Sequence, residues 1–303
     1  MSAPLLSVDE IIRRHPRERL FVQPVEWTGR HLELLQCSFE LQDDDEGSRR
    51  RTAREEAHDA DLSDCRPFSY WTHEAESLAV SDSKNAAIRR ILTDRKGPFK
   101  CTRPFGFFHF GSDHTFRLHG LVFAPCSPRQ APGQEQPRPV FAFMQRGMIR
   151  IQREAAFPLP RPRRRQRLPN LPVAAARLLQ LKHLEPADPC RDPYILAVLL
   201  GLAQAQAELS SLAESGSNNA WKRREYRVSA AFVDEENTKY MNFYSANVSA
   251  AFLGHFDYPE SIQTPQLQIL SSSLTIQQRE FPYKPYSSLR QRLIDAIATH
   301  TGL

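Results

Sequence analysis

Apolar and polar positions follow different periods along this chain, and the changes of period mark out its elements. From Tyr194 to Ala203 the stretch "YILAVLLGLA" holds no charged side chain, and Asp192-Pro193 ahead of it is the signature of a helix start. With about 100° of turn per residue, Ile195, Leu196, Val198, Leu199, Leu200, Leu202 and Leu209 cover more than half the circumference. Ala197, Gly201 and Ala205, spaced four apart, add a seam of small residues along which another element can approach closely, with Gln204 and Glu208 beside it. The pattern predicts a core helix over 192–209, gripped by the hairpin that follows and by helices at 172–184 and 287–299.

Elsewhere, strand-like runs separated by turn residues predict hairpins. In "RPFGFFHFGSDHTFRLHGLVFAPC", 103–126, two aromatic-rich runs flank Gly111-Ser112-Asp113, and "EYRVSAAFVDEENTKYMNFYSANV" places two runs around Asp234-Glu235-Glu236-Asn237. Another strand pair is predicted over 138–154, with Arg146-Gly147 at its turn, and single strands in "RLFVQPVEW" and "LQILSSSLTI". Short helices are predicted over 8–14 and within 76–92, the latter starting from a cap at Asp82 or Ser83 with Ala86, Ala87, Ile88, Ile91 and Leu92 on one side. "SAAFLGHF" reads as a helical turn and "SSLRQRLIDAIATH" as a closing amphipathic helix. Helices and antiparallel hairpins mix without strict alternation, so the expected class is α+β: antiparallel hairpins packed on a central apolar helix, with proline-rich and charged disordered loops.

The charged loop is "QDDDEGSRRRTAREEAHDADLSD", 42–64, which has too little apolar surface to offset the entropy of ordering. In "FPLPRPRRRQRLPNLP", 157–172, prolines exclude regular structure and arginines repel one another. This stretch reads as a linker between an N-terminal α+β region, 1–156, and a C-terminal one, 173–303, two halves that can also form a single domain.

Composition narrows the function classes. Twelve glycines against 23 prolines in 303 residues suit proline-punctuated loops better than a glycine-built phosphate cradle, and no Walker or dinucleotide loop and no G-x-S-x-G elbow is present. The five cysteines are scattered with no C-x-x-C pair, which suits reduced thiols in an intracellular protein. "MSAPLLSVDEIIRRHPRER" lacks the features of a secretory signal, and no apolar run approaches the ~20 residues that span a bilayer. The expectation is a cytoplasmic or nuclear protein without membrane association and without a cofactor.

"DPYILAVLLGLAQAQ", followed by a strand pair ending in "YSANVSAAFLGHFDYP", resembles the second half of a group of uncharacterised proteins of filamentous fungi, and "LAVSDSKNAAIRRIL" shares the likeness. It covers roughly 76–125 and 190–260 and lies in phrases, not in a catalytic motif. The resemblance implies an intracellular fungal origin and carries over no activity and no functional residue.

Three sets of residues are candidates for chemistry. His109, Asp113, His114 and His119 crowd one predicted hairpin, and imidazole with carboxylate suits zinc or iron. The turn and strands split the set, His109 and His119 being free to face opposite sides of the sheet, so no metal is expected. For an enzyme, the sharpest comparison is the PD-(D/E)XK nucleases, in which two carboxylates hold Mg²⁺ while a lysine separated from a carboxylate by one residue helps position the attacking water. Here Asp234, Glu235 and Glu236 fall in a turn and Lys239 stands three residues after Glu236, the pattern of a degenerate site; Asp192 and Glu208 complete the catalytic candidates.

Arg161, Arg163, Arg164, Arg165 and Arg167 can bind a polyanion or a nuclear import receptor. No aromatic residues are interleaved with them, so specific nucleic-acid binding is not supported. The sequence therefore predicts a non-enzymatic protein that acts through an unidentified protein partner. The alternative is a diverged metal-dependent nuclease, or an accessory enzyme with an unrecognised site.

Overall fold

The computed structural model describes residues 8–42, 68–94, 97–111, 114–126, 137–158, 171–213, 225–256 and 273–302. Its strands are β1 (Cys37–Leu41), β2 (Phe99–Phe110), β3 (His114–Pro125), β4 (Phe141–Gln145), β5 (Glu225–Val233), β6 (Tyr240–Ser249) and β7 (Leu274–Pro282). Its helices are α1 (Val8–Arg14), α2 (Gly29–Leu34), α3 (Phe68–Val80), α4 (Lys84–Thr93), α5 (Arg146–Ala156), α6 (Leu171–Leu184), α7 (Pro193–Ala213), the single turn α8 (Ala250–Leu253) and α9 (Leu289–Thr301). The class is mixed α+β. Among the described residues, seven strands form one sheet in the order β1-β7-β6-β5-β4-β3-β2. β1 pairs with β7 and β4 with β5 in parallel, and the other neighbours are antiparallel.

Alternation along β5 shows why this sheet is the middle layer. Tyr226, Val228, Ala230 and Phe232 point into one core, with α7. Ala231 and Val233 point into a second core, which holds residues of α3, α4 and α9. β4 behaves alike: Ala142 and Met144 face α7, Phe141 and Phe143 the other side. Strands buried on both faces read as nearly continuous apolar runs, which is how "VSAAFV" and "VFAFM" look.

The helix at Pro193–Ala213 is apolar and buried, Tyr194 to Leu200 being no more than 5% exposed. It covers one face of the sheet, whereas Leu289, Leu293 and Ile297 of α9 belong to the opposite core, and α6 buries only Leu184. The centre of the molecule is thus the sheet, not the helix. The seam along α7 does admit a neighbour: a Cβ on Gly201 would run into the carbonyl oxygen of Phe107 in β2.

Several local expectations change. "RLFVQPVEW" is not a strand: Pro24–Glu26 form a 3-10 turn, as a fixed proline φ and a missing N–H favour. Over 138–154 only β4 is a strand, and the expected turn at Arg146-Gly147 is the first turn of α5. The helix expected within 76–92 after a cap at Asp82 or Ser83 is α4, with Ser83 at its N-cap; residues 76–80 belong to the end of α3, where Lys84 Nζ donates to the carbonyls of Leu78 and Ala79. Both principal hairpins form, β2–β3 and β5–β6. Of the loop expected over 42–64, residues 43–64 lie outside the described residues, as do the arginines between 161 and 167. No helix among the described residues is long and apolar enough to cross a membrane.

Candidate functional site

The histidines of the β2–β3 hairpin do not converge. His109 pairs with Thr115 across the hairpin and His119 with Phe105, so both occupy one face, but four residues of strand separate them, about 13 Å. His109 Nδ1 lies 3.1 Å from the Thr115 hydroxyl. His114, paired with Phe110, takes the alternate face and packs edge-on to Phe21, ring centroids 4.5 Å apart. Burial and the Arg117 charge hold the His119 pKa below its ordinary value. Asp113 lies outside the described residues, among which no three His, Cys, Asp or Glu side chains form a metal-binding group.

The acidic candidates are spread over three places. Asp192 is buried; its carboxylate accepts both terminal nitrogens of Arg153 at 2.8 Å and the backbone N–H of Tyr194 at the start of α7. Arg153 Nε donates to the Val25 carbonyl as well. Asp234 accepts from Arg146 at 2.8 Å and from the N–H of Glu236. Glu235 accepts the Gly147 N–H through both oxygens, placing a carboxylate at the positive end of α5. Glu236 and Lys239 are exposed at the hairpin turn, and Glu208 lines a cleft on the far side of α7. Asp192, Asp234 and Glu235 are therefore tied to helix ends. Arg153, the partner of Asp192, stands 39 residues away in sequence, and no local pattern announces it.

A different surface emerges from α5 and α6. Ile149 and Arg153 hold α5 against the molecule, an i,i+4 pair that leaves Met148 and Ile151 outward. In α6, Leu171, Leu178 and Leu179 are 75%, 67% and 69% exposed. Between the two helices runs a groove of about 250 Å³, lined by Ile149, Leu178, Leu181 and Pro186, by the cations Arg146, Arg150, Arg153 and Lys182, and by Glu154, Glu185 and Asp192, which pair with Arg150, Arg146 and Arg153. Between Arg146 and Leu184 the sequence has ten arginines and lysines and one acid, Glu154. The formal charge of the whole chain is only +5, so this segment is more basic than the molecule that carries it. That excess was countable in the sequence; the solvent-facing leucines were not, because an apolar helix reads as core until its neighbours are known.

On the other side of α7 lies a cleft of about 1110 Å³, bounded by β2, β3, residues 137–139 and α7. Its walls include Phe107, Leu118, Val122, Val198, Leu202 and Leu209, with Gly106, Gly201 and Ala205 leaving room between them. The β2 register shifts twice between Cys101 and Phe105, beside the cleft. Further along, Gln204 closes the edge strand by accepting from the His109 N–H at 2.9 Å and donating to its carbonyl at 2.8 Å.

No protein-family model matches the chain, and no curated protein matches it.

Proposed function

We propose that this chain is a non-enzymatic protein-binding module whose docking surface is the apolar, basic face of α5 and α6, and that its partner presents an acidic amphipathic helix. The observation that carries the proposal is α6 itself, with Leu171, Leu178 and Leu179 exposed and Leu178 lining a groove whose cations include Lys182 and Arg150, the latter paired with Glu154. Each leucine taken out of water contributes about 1.5–3 kcal/mol, and exposed apolar surface of this kind marks interaction sites. A groove between helices takes an apolar helix face, and the basic excess selects partners flanked by Asp and Glu. The tethering of Asp192 and Asp234 to helix ends favours this reading over the enzymatic alternative.

The test uses two labelled amphipathic peptides with the same leucine stripe, one carrying glutamates on its polar face and the other lysines. Fluorescence anisotropy should show saturable binding of the glutamate peptide alone. The double variant Leu178→Ser/Leu179→Ser should weaken it at least tenfold without altering thermal unfolding. Equal binding of both peptides, or an unchanged affinity in the variant, defeats the assignment.

Arg161, Arg163, Arg164, Arg165 and Arg167 stand in sequence between these helices, and a nuclear import receptor is proposed as a second acidic partner. Changing Arg163, Arg164 and Arg165 to alanine should shift a fluorescent fusion toward the cytoplasm. An unchanged distribution removes this second partner.

A further inference from the structure

We infer that Lys182 is the residue of the α5–α6 groove that selects the partner, by pairing with a carboxylate that the docked helix carries one turn from the leucine it buries there. This rests on the α5–α6 docking reading and adds to it the residue that reads charge and the place of the acid in the partner.

The groove's own charges decide which of them is open to a partner. Its lining holds four cations, Arg146, Arg150, Arg153 and Lys182, and three acids, Glu154, Glu185 and Asp192. Asp192 holds Arg153 through two hydrogen bonds of 2.8 Å, and Arg146 lies 2.8 Å from Asp234 and 3.5 Å from Glu185. Arg150 stands 4.0 Å from Glu154, one turn along α5. Lys182 is exposed and makes no ion pair or hydrogen bond with a described residue. Residues 159–170, which join the two helices in the chain, contain no Asp or Glu to neutralise it.

A paired arginine has to release its own carboxylate before it takes the partner's, so that exchange gains little. Lys182 gives up only water, and its ammonium on a flexible stem demands no fixed geometry of the acid.

Helical spacing places that acid. Leu178, Leu181 and Lys182 stand at i, i+3 and i+4 of α6, so the three share the face that lines the groove. Leu178 and Lys182 are one turn apart, about 6 Å along the helix axis. A helix that lays a leucine against Leu178 and Leu181 meets the Lys182 ammonium with a carboxylate about one turn away on the same face, whereas an acid on its opposite face points into water.

The test uses two labelled amphipathic peptides of equal charge and equal leucine content. One carries glutamates a turn before and a turn after its central leucine, and the other carries them on the opposite face. Fluorescence anisotropy with the full chain should show the first binding about fivefold more tightly. Lys182→Gln should erase that difference, and Lys182→Glu should make the chain prefer a version of the first peptide with lysines in place of the glutamates. Thermal unfolding should not change in either variant, because Lys182 is exposed. Arg150→Gln/Glu154→Gln, which removes a paired cation together with its acid, should leave the preference intact. Equal binding of the two peptides by the parent, or a preference that survives Lys182→Gln, overturns the inference, while the docking surface itself stands if Leu178→Ser/Leu179→Ser still weakens both peptides. Absence of saturable binding by either peptide takes down both.

Discussion

At Asp192 a carboxylate, a guanidinium and the first N–H of a helix meet almost entirely out of water. Asp192 and Arg153 are each under 10% exposed and share two hydrogen bonds of 2.8 Å, and Asp192 also receives the Tyr194 N–H. A bidentate pair of this kind adds little net stability against a well-packed apolar pair, yet removing one member strands a buried charge. Arg153→Met should therefore cost about 3–5 kcal/mol in urea unfolding. Arg153→Met/Asp192→Asn should recover part of that loss, because the amide oxygen still caps Tyr194 without carrying a charge. A cost below about 1 kcal/mol for the single change would mean that other groups or water solvate Asp192. The sequence made the helix start legible, since Asp-Pro ahead of an apolar run is a local signal. It also left Asp192 open as a catalytic acid, and Arg153, which arrives from another helix to pair with it, has no local signal in the sequence.

Among the elements, α7 and the edge strand β2 lock together through two residues that the sequence placed side by side. Gly201 lets the Phe107 carbonyl approach the helix, and three residues later Gln204 supplies the hydrogen-bonding partner that β2 lacks on its outer edge. An alanine favours a helix interior over glycine by about 1 kcal/mol. At Gly201 its methyl group would meet the Phe107 oxygen and the Leu118 side chain, and overpacking costs typically 1–3 kcal/mol. Gly201→Ala is expected to destabilise by about 1–2 kcal/mol, the steric cost outweighing the propensity gain, with a lower urea midpoint as the readout. A variant more stable than the parent would mean that β2 yields easily at this point. The small-residue seam was visible as a four-residue spacing, though which strand would occupy it was not. The same limit applies to α6: "LPVAAARLLQLKHL" has a helix-forming composition, but periodicity cannot tell a helix whose leucines face the core from one whose leucines face a partner.

Across the whole molecule, strands from both sides of the arginine-rich stretch join one sheet, since β4 pairs with β5 and β1 with β7. Hydrogen bonds between strands so distant in sequence leave no local trace, which is why the hairpins were legible and their assembly into one layer was not. One consequence of sheathing this sheet with helices and turns is a set of histidines wholly or partly withdrawn from water, His31 and His255 buried and His119 and His300 half-buried. Burial pushes His255 down to about 4 and lowers His31, His119 and His300 as well. His255 packs edge-on to Phe252, and His31 stacks on Trp27. A histidine with a depressed native pKa is neutral in the folded state while the unfolded chain, near 6.5, takes up protons first. Stability is thus intact above about pH 6.5 and falls as the pH drops toward 4, where His255 itself begins to protonate. His255 alone should remove about 2 kcal/mol between pH 7.5 and pH 5, with the other three adding in the same direction. Urea unfolding at those two pH values measures the loss directly, and His255→Leu should reduce it by about that amount whatever its effect at pH 7.5. A parent protein equally stable at both pH values would show that these imidazoles are hydrated or paired in solution, because a buried neutral histidine cannot escape the proton uptake of its unfolded chain.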